Sequence, residues 1–227
     1  MFRLDDSDLY RAEILEKIPW LEHAFGTRLR SPEIAPNSVA TLKQIHSDRV
    51  LAATEAGRQG EGDALVTNRP GIALAIRTAD CLPILMADPR NRAIAAVHAG
   101  WRGVASEIVP NTIETLQSQF GTHPEDLVVA IGPGIGGCCF EVGPEVAVHF
   151  RKFFPEWNGP PQRMRVDLVE TTLRQLRRHG GTPGQIATSG LCSCCGDAKL
   201  FHSYRRDKAA AGRMVAQIAI RGEDSVD

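Results

Sequence analysis

Three short stretches each place a good metal ligand beside turn residues at the end of an apolar run: Gln44-Ile45-His46, Thr78-Ala79-Asp80-Cys81 and Val97-His98-Ala99-Gly100-Trp101-Arg102-Gly103. Two imidazoles and one thiolate suit zinc, and three protein donors leave a fourth tetrahedral position for water or substrate, as catalytic rather than structural sites do. The same residues also permit a metal-free reading, in which His98 draws the proton from a nucleophilic Cys81. Seventeen residues separate Cys81 from His98, the length of one hairpin, so the two can face each other across adjacent strand ends. Taken singly, each is also an ordinary residue: Cys81 a small core side chain, His46 a surface or satisfied histidine. Spacing leaves both chemistries open, and a thiolate held on zinc is a poor nucleophile, so they exclude one another at any moment.

The turn after His98 adds an anion-binding pattern. Gly100 and Gly103 allow close backbone approach, a helix starting near Val104 offers unpaired N–H groups, and Arg102 can grip a phosphate or carboxylate. Gly132-Pro133-Gly134-Ile135-Gly136-Gly137 formally contains G-x-G-x-x-G, but helical pattern resumes only near Pro144, so it reads as a tight loop lining a pocket and not as a dinucleotide site. Cys192-Ser193-Cys194-Cys195 contains one C-x-x-C with no second copy, and Cys138-Cys139 is expected to pack in the core. A closed four-cysteine site would have to bring Cys138 and Cys139 across from far away. In Phe201-His202-Ser203-Tyr204-Arg205-Arg206-Asp207, one arginine is expected to point into a cleft, with Asp207 capping a last helix.

These residues need a frame. Gly71–Ile76, Leu82–Met86 and Ala93–Val97 are apolar runs bounded by turn residues, the pattern of strands buried on both faces. Asp88-Pro89-Arg90-Asn91 is a turn of hairpin length, which predicts an antiparallel pair and disfavours a purely parallel sheet. Helices are expected over Val104–Phe120, bent or split by Pro110; from Pro144 to Phe154; after the capping box Asp167-Leu168-Val169-Glu170 as far as Gly180; and over the alanine-rich stretch from Asp207 to Ile220. Strands mixed with helices make an α/β or α+β protein with helices over a mixed sheet. No repeat or low-complexity linker divides the chain, so residues 1–227 read as one domain.

Composition narrows the function classes. The 227 residues carry 26 Lys+Arg against 27 Asp+Glu, a formal net charge of −1, which removes the electrostatic case for binding a nucleic-acid polymer or an anionic membrane. Acids in the opening Met-Phe-Arg-Leu-Asp-Asp-Ser-Asp and the lack of a long apolar run predict neither signal peptide nor membrane span, hence a cytoplasmic protein. Six cysteines in such a chain point to metal, nucleophile or burial before disulfides. No two of the seven histidines stand two apart, which disfavours the His-x-His copper centres of a true multicopper oxidase.

The set Gln44-Ile45-His46, Gly62-Asp63-Ala64-Leu65-Val66-Thr67, Ala79-Asp80-Cys81-Leu82-Pro83, Val97-His98-Ala99-Gly100-Trp101-Arg102-Gly103, Ile131–Gly136, Phe140-Glu141-Val142-Gly143 and Ser203-Tyr204-Arg205-Arg206-Asp207 resembles the YfiH family, formerly called multicopper polyphenol oxidase or laccase-domain proteins. The match runs in order from about Phe25 to Arg213. The resemblance implies a single-domain, layered α/β/β/α-type fold with mixed sheets, similar to the catalytic domains of cytotoxic necrotizing factors. It implies a zinc site at His46, Cys81 and His98, which are also the catalytic residues. It further implies phosphorolysis of adenosine, inosine, guanosine and methylthioadenosine, and hydrolytic deamination of adenosine. The substrates would thus be a small nucleoside and phosphate, and the phosphate site is expected at Arg102, Arg28, Arg205 or Arg206.

One departure concerns the rim. Only Leu29 to Lys43 separate Arg28 from Gln44, where the family carries a longer stretch, so a rim or lid element is expected to be shortened. Three other functions compete: a Cys81–His98 amide hydrolase that edits cell-wall precursors, a non-enzymatic nucleotide-binding partner protein, and, ranked last, a copper-dependent polyphenol oxidase.

Overall fold

The computed structural model describes residues 1–35, 37–157 and 164–222. In chain order its strands are β1 (Phe2–Leu4), β2 (Tyr10–Ala12), β3 (Leu21–Phe25), β4 (Val39–Lys43), β5 (Val50–Ala52), β6 (Gly57–Glu61), β7 (Ala64–Thr67) and β8 (Ala73–Thr78). They continue with β9 (Leu82–Asp88), β10 (Ala93–Ala99), β11 (Val128–Ile131), β12 (Glu141–Val142), β13 (Met164–Arg165), β14 (Ile186–Thr188) and β15 (Met214–Ile220). One sheet runs in the order β1-β2-β3-β15-β8-β4-β6 and the other β14-β11-β9-β10-β7-β5, while β12 and β13 form a separate ribbon. Both large sheets are mixed: β4 lies parallel to β8 and β5 parallel to β7, whereas β9 and β10 form the expected antiparallel hairpin. Its turn is closed by Asp88, which accepts from the backbone N–H groups of Arg90 and Asn91.

The strands of that hairpin are apolar throughout because each face meets a different layer. Ala93, Ala95, Val97 and Ala99 of β10 join the cluster beneath the helices, while Ile94 and Ala96 join the cluster between the sheets, with Leu74 and Ile76 of β8 and Ile218 of β15 opposite. Period-two alternation is thus intact but invisible to a polarity count, as for any strand covered on both sides. The helices are α1 (Glu13–Glu16), α2 (Trp101–Ala105), α3 (Ile108–Phe120), α4 (Pro144–Ala147), α5 (Leu168–Arg178) and α6 (Tyr204–Asp207); α3 buries Ile108, Ile113 and Leu116 against the six-stranded sheet, and α5 lies on α2 and α3 and adds Leu168 and Leu176 to the same core. Each such side chain contributes about 1.5–3 kcal/mol on burial. The result is a mixed α/β fold of stacked layers.

Local signals behave as the backbone requires. Asp167 caps α5, its carboxylate accepting from the Glu170 N–H at 2.9 Å. The helix after His98 divides into a short segment, Trp101–Ala105, and α3, with Glu107 between them in the left-handed region at φ 68°. Pro110 causes this: its ring clashes with the carbonyl four residues back, at Ser106, and as third residue of α3 its missing N–H leaves no hydrogen bond unmade. Gln175 of α5 donates to the Val104 carbonyl at 2.7 Å, a carbonyl that also takes the Glu107 N–H at 3.1 Å across the break. From Pro144 only one α-helical turn forms, to Ala147, before the chain tightens into a 3₁₀ segment at Val148–Phe153.

The expected helix over Asp207–Ile220 is corrected. Only Tyr204–Asp207 is α-helical there, capped by Ser203 and not by Asp207, and Met214–Ile220 is a central strand between β3 and β8. The alanines ending at Ala211 lead into Gly212, and beyond it Val215, Ile218 and Ile220 favour extended backbone. A partner edge on each side then outweighs alanine's helix propensity.

Candidate metal centre and active-site cleft

The two sheets end together at one rim, and the three predicted ligands arrive there from different directions. Gln44-Ile45-His46 leaves β4 of the seven-stranded sheet, and Ala79-Asp80-Cys81 is the crossing from β8 into β9 of the other. His98 lies one residue from the end of β10, whose register pairs Ala99 with Leu82 and His98 with Pro83. Cys81 and His98 therefore meet across adjacent strand ends, as their spacing predicts. The donor atoms of His46, Cys81 and His98 all lie within 4.8 Å of one another, and the two imidazole rings are 4.9 Å apart. Room for this comes from Gly100: a Cβ there would stand 2.9 Å from Cys81 Sγ and 3.2 Å from His46 Nδ1.

The organising residue is one to which the motifs assign no role. Asp63, fully buried just before β7, lies beside His98 because β7 and β10 pair Ala64 with Val97. Its Oδ1 sits 2.8 Å from His98 Nδ1 and accepts the His46 N–H at 3.0 Å; its Oδ2 accepts from the N–H and hydroxyl of Ser47. One carboxylate thus orients one ligand ring and holds the loop carrying another. The available signal was a lone acid between Gly62 and an apolar run, where a charge must find partners.

Backbone strain gathers at the same place. His46 and Asp80 both have positive φ, 59° and 86°, a region non-glycine residues seldom enter, though histidine and aspartate do so more often than most. Asp80 is secured by the Ser193 hydroxyl at 2.7 Å and the Arg205 N–H at 2.6 Å, and its carbonyl takes the Ile135 N–H. Gln44 brackets Arg77, its amide bonding both the Arg77 N–H and carbonyl at 2.8 Å.

Electrostatics follow the geometry. Burial alone would raise the Cys81 thiol, but hydrogen bonds and charge from His46 and His98 bring it down to about 6. Burial would lower His98, yet Asp63 and Cys81 carry it up to about 9. Burial would raise Asp63; the His98 and Ser47 hydrogen bonds hold it at about 2. These shifts favour, in the absence of metal, a carboxylate, an imidazolium and a thiolate side by side.

The cluster opens on a cleft of about 690 Å³, within the usual range of roughly 300–1,000 Å³ for small-ligand sites. Its walls combine Ile135, Phe140, Leu168 and Tyr204 with the cations Arg77, Arg205, Lys208 and Arg213. Of the four arginines expected at an anion site, only Arg205 lines it, with its guanidinium over the Phe140 ring. Arg102 sits over the Trp101 ring, 4.4 Å from its centroid, and Arg28 is exposed with its head on the Ala198 carbonyl. Arg206 is taken up by Asp207 and by the carbonyls of Ser193, Cys194 and Phe201. Arg77, Lys208 and Arg213 carry no local signal; the ends of β8 and β15 bring in Arg77 and Arg213, and the 3₁₀ turn Lys208–Ala210 brings in Lys208.

The expected packing role of Cys138 is also corrected. Cys138 and Cys195 are exposed, and with Cys139 and Cys192 they form a second cluster of sulfur atoms, all within 4.8 Å of one another.

A family model described as multi-copper polyphenol oxidoreductase laccase matches residues 25–221. Among curated proteins, a purine nucleoside phosphorylase of Deinococcus radiodurans is 42% identical over 188 residues, 82% of this chain and 72% of that one. A purine nucleoside phosphorylase of Bacteroides thetaiotaomicron is 39% identical, covering 76% and 67% respectively. The crystal structure of the hypothetical protein YfiH of Bacillus licheniformis superposes with a TM-score of 0.86 at 25% identity, covering 97% of this chain and 99% of that one.

Proposed function

The chain belongs to the YfiH family, the multi-copper polyphenol oxidoreductase laccase group, and from that premise we propose that it is a zinc-dependent purine nucleoside phosphorylase that also deaminates adenosine. The observation that supports this best is a three-donor cluster, His46, Cys81 and His98, opening onto a cleft with apolar walls and four cationic side chains. Two imidazoles and a thiolate are a donor set zinc accepts, and three ligands leave one position facing the cleft. The laccase description implies copper, but among the described residues no second cluster of three donors contains a histidine, so a multicopper centre has nothing to occupy.

In phosphorolysis a phosphate oxygen forms a bond to the anomeric carbon, the bond from that carbon to the purine nitrogen breaks, and the electron pair and a proton end on the base. The chain's own contribution is placement. Phe140 and Tyr204 offer faces for the purine, Arg205, Arg77, Lys208 and Arg213 gather the phosphate charge, and the apolar wall at Ile135 and Leu168 excludes water. Asp63 fixes the tautomer and orientation of His98, the usual work of a carboxylate behind a metal-binding imidazole. When bound, zinc supplies Lewis acidity and activates water, the chemistry that exchange of the purine amino group for oxygen requires. The test is chromatography of products from adenosine with and without phosphate, alongside elemental analysis. Phosphate-dependent adenine release, lost in His46→Ala, supports the reading; full turnover with substoichiometric metal refutes it.

A second reading draws on the alignment Asp63, His98, Cys81, which is that of a cysteine hydrolase. Cys81 Sγ would bond to an amide carbonyl carbon, the amine would leave with the His98 proton, and water would release the acyl group from sulfur. The substrate class would be a cell-wall precursor amide. This activity would survive chelation and die on thiol alkylation, the reverse of the first.

A further inference from the structure

The cysteines outside the cleft bring two distant segments together. Cys138 and Cys139 sit in the turn closing the glycine loop, Cys192 and Cys195 in the turn 192–195, and their four sulfur atoms lie within 4.8 Å of one another. Cys138 Sγ and Cys195 Sγ are 3.5 Å apart, too far for a disulfide at about 2.05 Å and near the separation of about 3.8 Å that four thiolates adopt around one zinc ion at about 2.3 Å. One donor already points at the cluster: the Gly136 N–H donates to Cys192 Sγ at 3.2 Å. Gly136 also makes the approach possible: a Cβ there would lie 3.2 Å from Cys138 Sγ and 3.6 Å from Cys192 Sγ.

We propose that Cys138, Cys139, Cys192 and Cys195 bind a second zinc ion, in a closed four-thiolate site that is structural and independent of the proposed activity. Zinc enters as the free divalent ion, the thiols release their protons, and nothing is oxidised or reduced. Its mechanical consequence is specific. The glycine loop carries Ile135 and Phe140 into the cleft, and the 192–195 turn carries Ser193, whose hydroxyl holds Asp80 beside Cys81. The turns are already stitched, Ser193 N–H to Gly134 carbonyl at 2.8 Å, and the ion would clamp the same wall.

Metal counting and cobalt substitution test this on the full chain, purified under reducing conditions without chelator. Expected are two zinc ions per chain in the native protein and one in either Cys81→Ser or the double variant Cys138→Ser/Cys195→Ser. Cobalt-loaded Cys81→Ser should keep the intense visible bands of four-thiolate tetrahedral cobalt; this leaves the cluster untouched and so holds even if the double variant does not fold. One zinc per native chain that vanishes with Cys81→Ser, or a cobalt spectrum without thiolate bands in that variant, overturns the proposal. So does a Cys138–Cys195 disulfide trapped by alkylation at cell lysis, before any reductant is added. None of these readouts depends on nucleoside turnover, so the two readings fail separately.

Discussion

Asp63 and His98 are joined twice: the His98 N–H donates to the Asp63 carbonyl at 2.7 Å, and His98 Nδ1 lies 2.8 Å from Asp63 Oδ1. The backbone bond extends the pairing of β7 with β10 by one step, so sheet register itself delivers the carboxylate to the imidazole. With Nδ1 committed to Asp63, Nε2 is the nitrogen left for a metal or for Cys81.

Asp63→Asn keeps the size but loses the charge and turns one of the two acceptor oxygens into a donor NH2, which fails either the His98 ring and the His46 N–H or the Ser47 N–H and hydroxyl. Zinc affinity, measured by competition with a chromophoric chelator, should fall by about 10- to 100-fold, with a comparable loss of kcat/KM. Unchanged zinc affinity would leave Asp63 with a folding role only.

The pair Cys81 and His98 has opposite pH signatures. A thiol held down at about 6 contributes stability that is complete above its ordinary range and is lost as pH falls through 6. An imidazole held up at about 9 contributes stability that is complete below its ordinary range and is lost as pH rises through 9. The two trade off across neutrality, so reactivity reads them better than melting does. In chelated protein, iodoacetamide should modify Cys81 with a rate rising through about pH 6, and zinc should suppress it. A rise only near the ordinary thiol value, about 8.5, would contradict the ion pair.

How much of this was legible varies with the range of the signal. Cys81 and His98 stand at the two ends of one hairpin, and strand, turn and strand are local patterns, so their meeting followed from spacing. Asp63 depends on which strand lies beside β10, and nothing near residue 63 says so. The four sulfur atoms come from segments more than fifty residues apart, joined by the bridge between Gly134 and Cys192. Arg102 was assigned from its turn, but Trp101 next to it offers a ring, and that contact takes the guanidinium away from the cleft. The strand Met214–Ile220 is hidden for a related reason: helix propensity is local, and the two edges that make it a strand are not.

Arg205 and Arg102 separate the cleft from its surroundings. Arg205→Ala removes a cation from the wall, and losing one charged hydrogen bond to phosphate, about 1.5–3 kcal/mol, should raise the KM for phosphate at least about 10-fold with a smaller change for nucleoside. Arg102→Ala removes a side chain that does not itself line the cleft, although the Trp101 ring it covers does, and should leave both KM values within about twofold. Equal effects of the two would move the anion site to the turn after His98.

Gly100 makes the last case, because its requirement is space and not conformation: its φ is −76°, which any residue adopts. In Gly100→Ala the new methyl stands 2.9 Å from Cys81 Sγ and 3.2 Å from His46 Nδ1, so the two ligands must separate. Without metal the thiol can turn aside, and chelated variant and wild type should melt within a few degrees of each other. With zinc the wild type gains stability in proportion to ligand binding, whereas the variant, holding the ion more weakly, should gain less. Differential scanning calorimetry with and without chelator measures both terms. A variant that melts early even when chelated would mean that Gly100 serves packing and not the metal centre.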